Sequence, residues 1–391
     1  MSNATSMTLS TSQQALTNNC FKRVREEINN HNGSLGFDQY MEIVLHDPLE
    51  GYYRYKHEII GNEGDFTTVP ETSTHLAYCL AHACAMLIHD DIKRDILEIG
   101  AGSGILACNI ISYLKTWDQL PNHYYIFEPS APLRAKQKKL FEKEIPDSLS
   151  IIEWLPDLSC TIETAIIIAN EVLDALPVKC FQVKNKSVHE RCVTLKDEGS
   201  LIWTLRNPTE KLDAAFDCLT VMLNEPFEDD YCSEVNLNIQ DTLYKWSDCC
   251  SQCIMFLIDY GSPQTEYYHP QRNMGTLRCY FKHQFSEDPF INPGLQDITT
   301  DVDFTAVAQA AALLKIGVLS FGSQRNFMLA NNLLDWRPSG QDEMERIAQI
   351  AQLKQLTLGS AISERFQVMV LGKGIDYGTD RFTLRDMRIR L

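Results

Sequence analysis

The chain has 391 residues, enough for one large elaborated domain or two ordinary ones. It is 44% hydrophobic and 22% charged, as a globular protein is, and no run reaches the ~18 uncharged apolar residues that a membrane span needs. A formal net charge of −17 leaves no basic footprint for nucleic acid; it would attract a basic protein segment or simply keep the protein soluble.

The first 19 residues are rich in Ser, Thr and Asn and hold no Lys or Arg. A secretory signal needs a basic start and an apolar stretch, and a mitochondrial presequence needs arginines, so neither fits. Residues 1–19 therefore read as a disordered lead-in, and the cytoplasm is the expected location. Residues 20–60 look helical at first (Cys20–Asn30, Phe37–Leu45), then pass through the turn-rich Asp47–Gly51 into an aromatic patch of Tyr52, Tyr53 and Tyr55. A Gly-rich loop, Gly61–Pro70, precedes a helix from Ser73 to Ile88.

Strand and helix then alternate, which favours a largely parallel sheet covered on both faces. Strands are expected at Asp95–Ile99, Tyr124–Phe127, Ser150–Glu153, Ala165–Ala169 and Cys253–Ile258, with an amphipathic helix from the Gly100–Gly104 turn to about Leu114. Roughly 80 residues separate the fourth and fifth strands, too many for a simple crossover. This insert, residues 180–250, reads as a hairpin (Cys180–Val183, Glu190–Leu195, Leu201–Leu205) followed by a helical part around Val235–Trp246. The tail offers a helix at Phe304–Lys315 and strands at Val318–Phe321 and Phe366–Leu371. Thirteen scattered cysteines suit free thiols in a reducing compartment. The densest group, Cys249, Cys250 and Cys253, lacks the second close Cys/His pair of a four-ligand zinc site, so no metal is expected.

The strongest signal is Ile96-Leu97-Glu98-Ile99-Gly100-Ala101-Gly102-Ser103-Gly104. A strand that ends in a tight glycine turn and leads into a helix lets backbone approach a ligand closely. A side chain at Gly100 or Gly102 would occupy the ligand's space. A dinucleotide fingerprint would place its third glycine at Ile105, one residue later than Gly104, so the ligand need not be a pyrophosphate. An acidic residue before such a turn is a pattern associated with S-adenosylmethionine (SAM), whose methionine end is zwitterionic. Glu128, at the end of the second strand, stands where a carboxylate in nucleoside-binding sheets accepts from the ribose hydroxyls.

Further strings join this turn. They are Gly51-Tyr52-Tyr53, 64–73 (GDFTTVPETS), Asn170-Glu171-Val172-Leu173-Asp174-Ala175-Leu176-Pro177-Val178 and Ile258-Asp259-Tyr260-Gly261. They continue with Gly275–Tyr280, His283, Pro293–Thr299 and Val302-Asp303-Phe304. In this order, over about residues 35–330, the chain resembles the MidA family of SAM-dependent methyltransferases. Mitochondrial members of that family are arginine methyltransferases needed for respiratory complex I assembly. Ser103 departs from the pattern, since relatives usually carry Arg there.

The resemblance implies an α/β class I SAM-methyltransferase fold: a Rossmann-like, mostly parallel sheet with an N-terminal helical extension and a large insert between the fourth and fifth strands. Residues 20–90 would form the extension and a cofactor-covering loop, and residues 91–391 the methyltransferase domain. SAM is the implied cofactor, held by Glu98, Gly100, Ala101, Gly102, Gly104, Glu128 and Asn170. Asp65 and Phe66 would close over it on the Gly-rich loop and exclude water.

The implied acceptor is an arginine on a basic or arginine-bearing partner protein. A guanidinium stays charged, with a pKa above ~12, so carboxylates that grip its N–H groups would orient it. Glu171 and Asp174, three residues apart past the fourth strand, suit that task if the segment turns helically. Asp259 and Tyr260 line the acceptor side or hydrogen-bond their loop, and Arg278 and His283 position substrate or staple the fold. Two other readings stand beside this one: methylation of a small molecule or another side chain, and a non-catalytic SAM-binding assembly factor. The insert offers room for a homodimer contact, though no periodic stripe demands one.

Overall fold

The computed structural model describes residues 9–55, 73–89, 94–223, 226–282, 284–338, 343–357, 364–375 and 382–391. The central sheet takes β1 (Asp95–Ile99), β2 (Tyr124–Phe127), β3 (Ile152–Trp154), β4 (Ile162–Asn170), β5 (Cys250–Ser262), β6 (Gly317–Ser323) and β7 (Phe366–Lys373). Their order is β3-β2-β1-β4-β5-β7-β6, with the two-residue strand Val302–Asp303 added beside the end of β5. Neighbours from β3 to β5 run parallel, and β7 runs antiparallel to both β5 and β6. This is the α/β, Rossmann-like architecture expected for a methyltransferase.

The middle strands form because they are apolar on both faces, as strands of a parallel sheet buried between helices must be. Ile166, Ile167 and Ile168 on β4 and Ile254–Ile258 on β5 have no solvent exposure. Leu76, Leu80 and Leu87 of the helix His75–His89 and Ile110, Ile111 and Leu114 of Ile105–Thr116 join one face. Leu243 and Trp246 of Ile239–Asp248 and Val307 and Ala311 of Phe304–Leu313 join the other. Truncating Ile167 to Ala would cost roughly 2–5 kcal/mol by emptying such a site. The order reverses between β1 and β4, where chains leave in opposite directions and open a crevice at the C-terminal edge. That crevice is where a ligand fits.

Residues 9–19 depart from the disordered lead-in expected of them. The first helix is Thr11–Asn30, and it starts in a capping box. Ser10 Oγ accepts from Gln13 N at 3.2 Å, while Gln13 Oε1 accepts from Ser10 N at 3.0 Å. Leu16, Cys20, Val24 and Ile28 recur every four residues and are buried. A polar composition hid this helix because so narrow a stripe suffices to dock it.

The insert and the extension are built into one another. Lys179–Lys184, Ser187–Leu195, Leu201–Arg206 and Cys232–Val235 form an antiparallel sheet that Leu35–Gly36 completes as a fifth strand. Its tight hairpin turns through Asn185 and Lys186, at φ +51° and +62°, the mirror-image turn that matches strand twist. Lys179 Nζ donates to Asp38 at 2.9 Å and to Glu190 at 2.8 Å, and Arg206 adds a contact to Glu190 at 3.1 Å. This junction fixes the short helix Tyr52–Tyr55 against the crevice, and Tyr52 is fully buried in the shared core. No helix among the described residues is long and apolar enough to cross a membrane.

Candidate cofactor and acceptor site

A cavity of about 680 Å³ opens at the crevice. The glycine turn forms its floor. Gly100, Gly102 and Gly104 take φ of +67°, +55° and +87°, a left-handed backbone that side chains resist. A Cβ on Gly100 would lie 3.1 Å from Val172 Cγ2, and one on Gly104 would lie 2.9 Å from Gln137 Cγ. Gly100 thus needs glycine on the cavity side of the turn; Gly104, expected to hold the cofactor, does not line the cavity and needs glycine on the packing side, against Gln137 and Phe141.

Glu98, Gly100, Ala101, Gly102, Glu128, Asn170 and Glu171 all line the cavity. Glu98 accepts from Tyr124 Oη at 2.7 Å, and burial pushes its carboxyl up to about 7. Glu128 Oε1 accepts from Ser130 N at 2.9 Å, and Oε2 accepts from Gly102 N at 3.2 Å. Burial raises its carboxyl to about 7, although those two N–H groups pull the other way. Gln137 ties the arrangement together: its Nε2 donates to Gly102 O at 2.8 Å while its Oε1 accepts from Trp154 Nε1 at 2.8 Å.

These residues fit SAM by donor and acceptor count. Glu128 Oε1 accepts one N–H and keeps a lone pair for a ribose hydroxyl, while Oε2 accepts from Gly102 N and, at 3.5 Å, from Gln137 Nε2. Asn170 Nδ2 donates to Glu171 Oε1 at 3.2 Å, while its Oδ1 is buried with no partner. A buried acceptor left unpaired costs about 1–3 kcal/mol, and an ammonium group such as that of the methionine end would satisfy it.

The acceptor side departs from expectation at Asp174. Glu171 takes φ +53°, so the segment does not turn helically and the two carboxylates part company. Glu171 faces the cavity, whereas Asp174 does not line it. Asp174 is 6% exposed; its N donates to Asp259 Oδ2 at 3.2 Å and its carbonyl accepts from Thr300 N at 3.0 Å. Asp259 is likewise a loop anchor, accepting from Leu173 N at 2.9 Å and Tyr260 N at 2.9 Å. Arg278 joins Arg272 on Asp301, at 3.3 and 3.0 Å, and so staples the fold. Asp65, Phe66 and His283 lie outside the described residues.

Glu171 is raised to about 8, first by burial and then by the charges of Asp174 and Asp297. Burial likewise pushes Asp174 and Asp259 well above the carboxylate range. Sequence reasoning missed His46, Tyr53 and Arg54 of the extension and Thr242 and Lys245 of the insert helix, which complete the walls. The Gly51-Tyr52-Tyr53 string was the available signal for the first group; no residue pattern marked the second.

Residues 79–322 match the family described as "Putative S-adenosyl-L-methionine-dependent methyltransferase". The chain belongs to this family. It is 26% identical over 325 residues to the rat mitochondrial protein arginine methyltransferase NDUFAF7, covering 76% of this chain and 70% of that one. Its Caenorhabditis elegans homologue is 25% identical over 76% and 72% of the two chains. A Burkholderia thailandensis protein crystallised with S-adenosyl-homocysteine superposes with a TM-score of 0.92 at 29% identity, covering 98% of this chain and 100% of that one. The cofactor is therefore SAM, and the protein is a SAM-dependent methyltransferase.

Both curated relatives are named as mitochondrial, which overturns the cytoplasmic expectation. That expectation rested on the composition of residues 1–19, which specifies no location.

Proposed function

We propose that the protein methylates an arginine side chain on a partner protein. Bound SAM supplies a methyl group on a sulfonium, whose C–S electron pair leaves with sulfur. Glu128 would hold the ribose, the Gly100–Gly104 turn and Asn170 the methionine end, and Glu171 the acceptor. The observation that carries the acceptor is Glu171: a cavity-lining carboxyl raised to about 8, first by burial, with the acidic side chains of Asp174 and Asp297 near it.

Such a group awaits a cation. A guanidinium arriving at Glu171 would ionise it, and the charge-assisted pair would orient the acceptor with its attacking nitrogen ~3–3.5 Å from the methyl. The left-handed backbone at Glu171 is strain of order 1–3 kcal/mol, of the kind held at functional positions. The relatives named as protein arginine methyltransferases support the same acceptor.

The test is to treat cell extract with the full chain and SAM carrying an isotopically labelled methyl group, then map the label by mass spectrometry. Label on arginine side chains of proteins is expected. Label confined to small molecules, or to other side chains, would overturn the proposal.

A further inference from the structure

An arginine cannot accept a methyl group without losing a proton, and a guanidinium gives none up in water near neutral pH. Glu171, as the grip, is committed to N–H groups that the bound cation keeps. A second acceptor is needed beside the attacking nitrogen.

Tyr53 lines the same cavity as Glu171. Its hydroxyl donates to Asp297 Oδ1 at 2.6 Å, the length of a charge-assisted O–H···O bond. With its hydrogen turned to Asp297, the Tyr53 oxygen is left as an acceptor. The ring is held by His46, stacked at 5.5 Å and 21°, and by the edge of Tyr52 at 5.1 Å. Asp297 is 3% exposed and sits in a strand paired with Tyr280, and the Tyr53 hydroxyl offers a path for a proton from the cavity to reach it. Glu171, Asp174 and Cys279 feel the charge of Asp297, while Tyr53 has the rings of His46 and Tyr52 against it and feels the charge of Asp174.

We infer that Tyr53, backed by Asp297, is the proton outlet of the acceptor site, an inference that rests on the arginine reading. As the attacking nitrogen bonds to the methyl carbon, its N–H bond breaks and leaves its electron pair on nitrogen. Tyr53 Oη takes that proton and passes its own to Asp297 Oδ1. A methylguanidinium carrying one positive charge, a neutral thioether in place of the sulfonium, and a neutral Asp297 carboxyl result. After product leaves, the proton returns to solvent by the same hydroxyl. Tyr53 is then a catalytic residue, and Asp297 acts through it.

The experiment uses the full chain, labelled SAM and the extract proteins on which wild type places arginine label. Tyr53→Phe and Asp297→Asn are expected to lower the labelling rate at least ~100-fold, the low end of what a general base contributes. Affinity for S-adenosyl-homocysteine by calorimetry should stay within about threefold, because neither group touches the cofactor in this scheme. The Tyr53→Phe rate should climb about tenfold per pH unit from pH 7 to 9, as hydroxide replaces the lost base, while wild type at saturating acceptor, where the bound guanidinium keeps Glu171 ionised, stays flat. Asp297→Glu should recover part of the rate. If Tyr53→Phe keeps wild-type rate and pH profile, the relay is wrong and arginine methylation stands. Absence of arginine label with wild type would overturn both. Should Asp297→Asn not fold, Tyr53→Phe alone decides, since it keeps the ring and removes one oxygen.

Discussion

Replacing Glu128 by Gln changes one atom and tests the cofactor grip. Both carboxylate oxygens already accept backbone N–H groups, from Ser130 at 2.9 Å and Gly102 at 3.2 Å. An amide keeps one acceptor and sets its NH₂ against one of those donors. It also loses the charge that strengthens a ribose hydrogen bond, and bonds to charged groups contribute about 1.5–3 kcal/mol each against ~1 for neutral ones. The expected loss is about 1.5–3 kcal/mol of binding, or roughly 10–150-fold in Kd. Titration calorimetry with S-adenosyl-homocysteine reads it directly, and circular dichroism establishes that the variant is folded. A folded Glu128→Gln protein with Kd within about threefold of wild type would refute the reasoning, since its one altered group would then lie outside the ribose site.

Other perturbations follow from the same geometry. Glu171→Gln should cut methyl transfer by at least ~100-fold, about 2.7 kcal/mol of transition-state stabilisation, while cofactor affinity barely moves; retained turnover would remove Glu171 from the acceptor site. Gly104→Val places a branched side chain at φ +87°, where even a Cβ comes within 2.9 Å of Gln137 Cγ, and should cost about 2–4 kcal/mol in a urea titration. Glu98 and Glu128 near 7 and Glu171 near 8 all lie above the ordinary 4.5. The folded chain thus binds more protons than the unfolded one, so stability present below pH 4.5 drains as pH rises through about 8. The melting temperature of the cofactor-free protein should fall from pH 5 to 8 and fall less in Glu171→Gln; a rise over that window would contradict the burial of these groups.

The cofactor half of the site was legible because it is local. A strand, a glycine turn and a helix are contiguous from Asp95 to Thr116, and the Glu98–Gly104 string carries the close approach in its own residue types. Glu128 could be placed because one strand and one crossover separate it from that turn. The acceptor half was less legible because it depends on backbone reversal and distant pairing. The left-handed φ at Glu171 sent Asp174 into the loop, and nothing in Asn-Glu-Val-Leu-Asp announces a non-glycine residue in that conformation. Tyr53 reaches the cavity because Leu35–Gly36 pairs with Cys192 and Val193, residues more than a hundred positions away. Strand order was hidden in the same way: β7 is the last strand in the chain yet lies between β5 and β6. The helix Ala131–Glu144 escaped notice because only Leu133, Gln137 and Phe141 of its residues are buried.

A crystal structure of the protein with S-adenosyl-homocysteine tests the central claim most directly. It should show both ribose hydroxyls within hydrogen-bond distance of the Glu128 carboxylate, Asn170 Oδ1 meeting the amino group, and Glu171 facing the space beyond sulfur. A nucleoside bound elsewhere, or a sulfur directed away from Glu171, would contradict it.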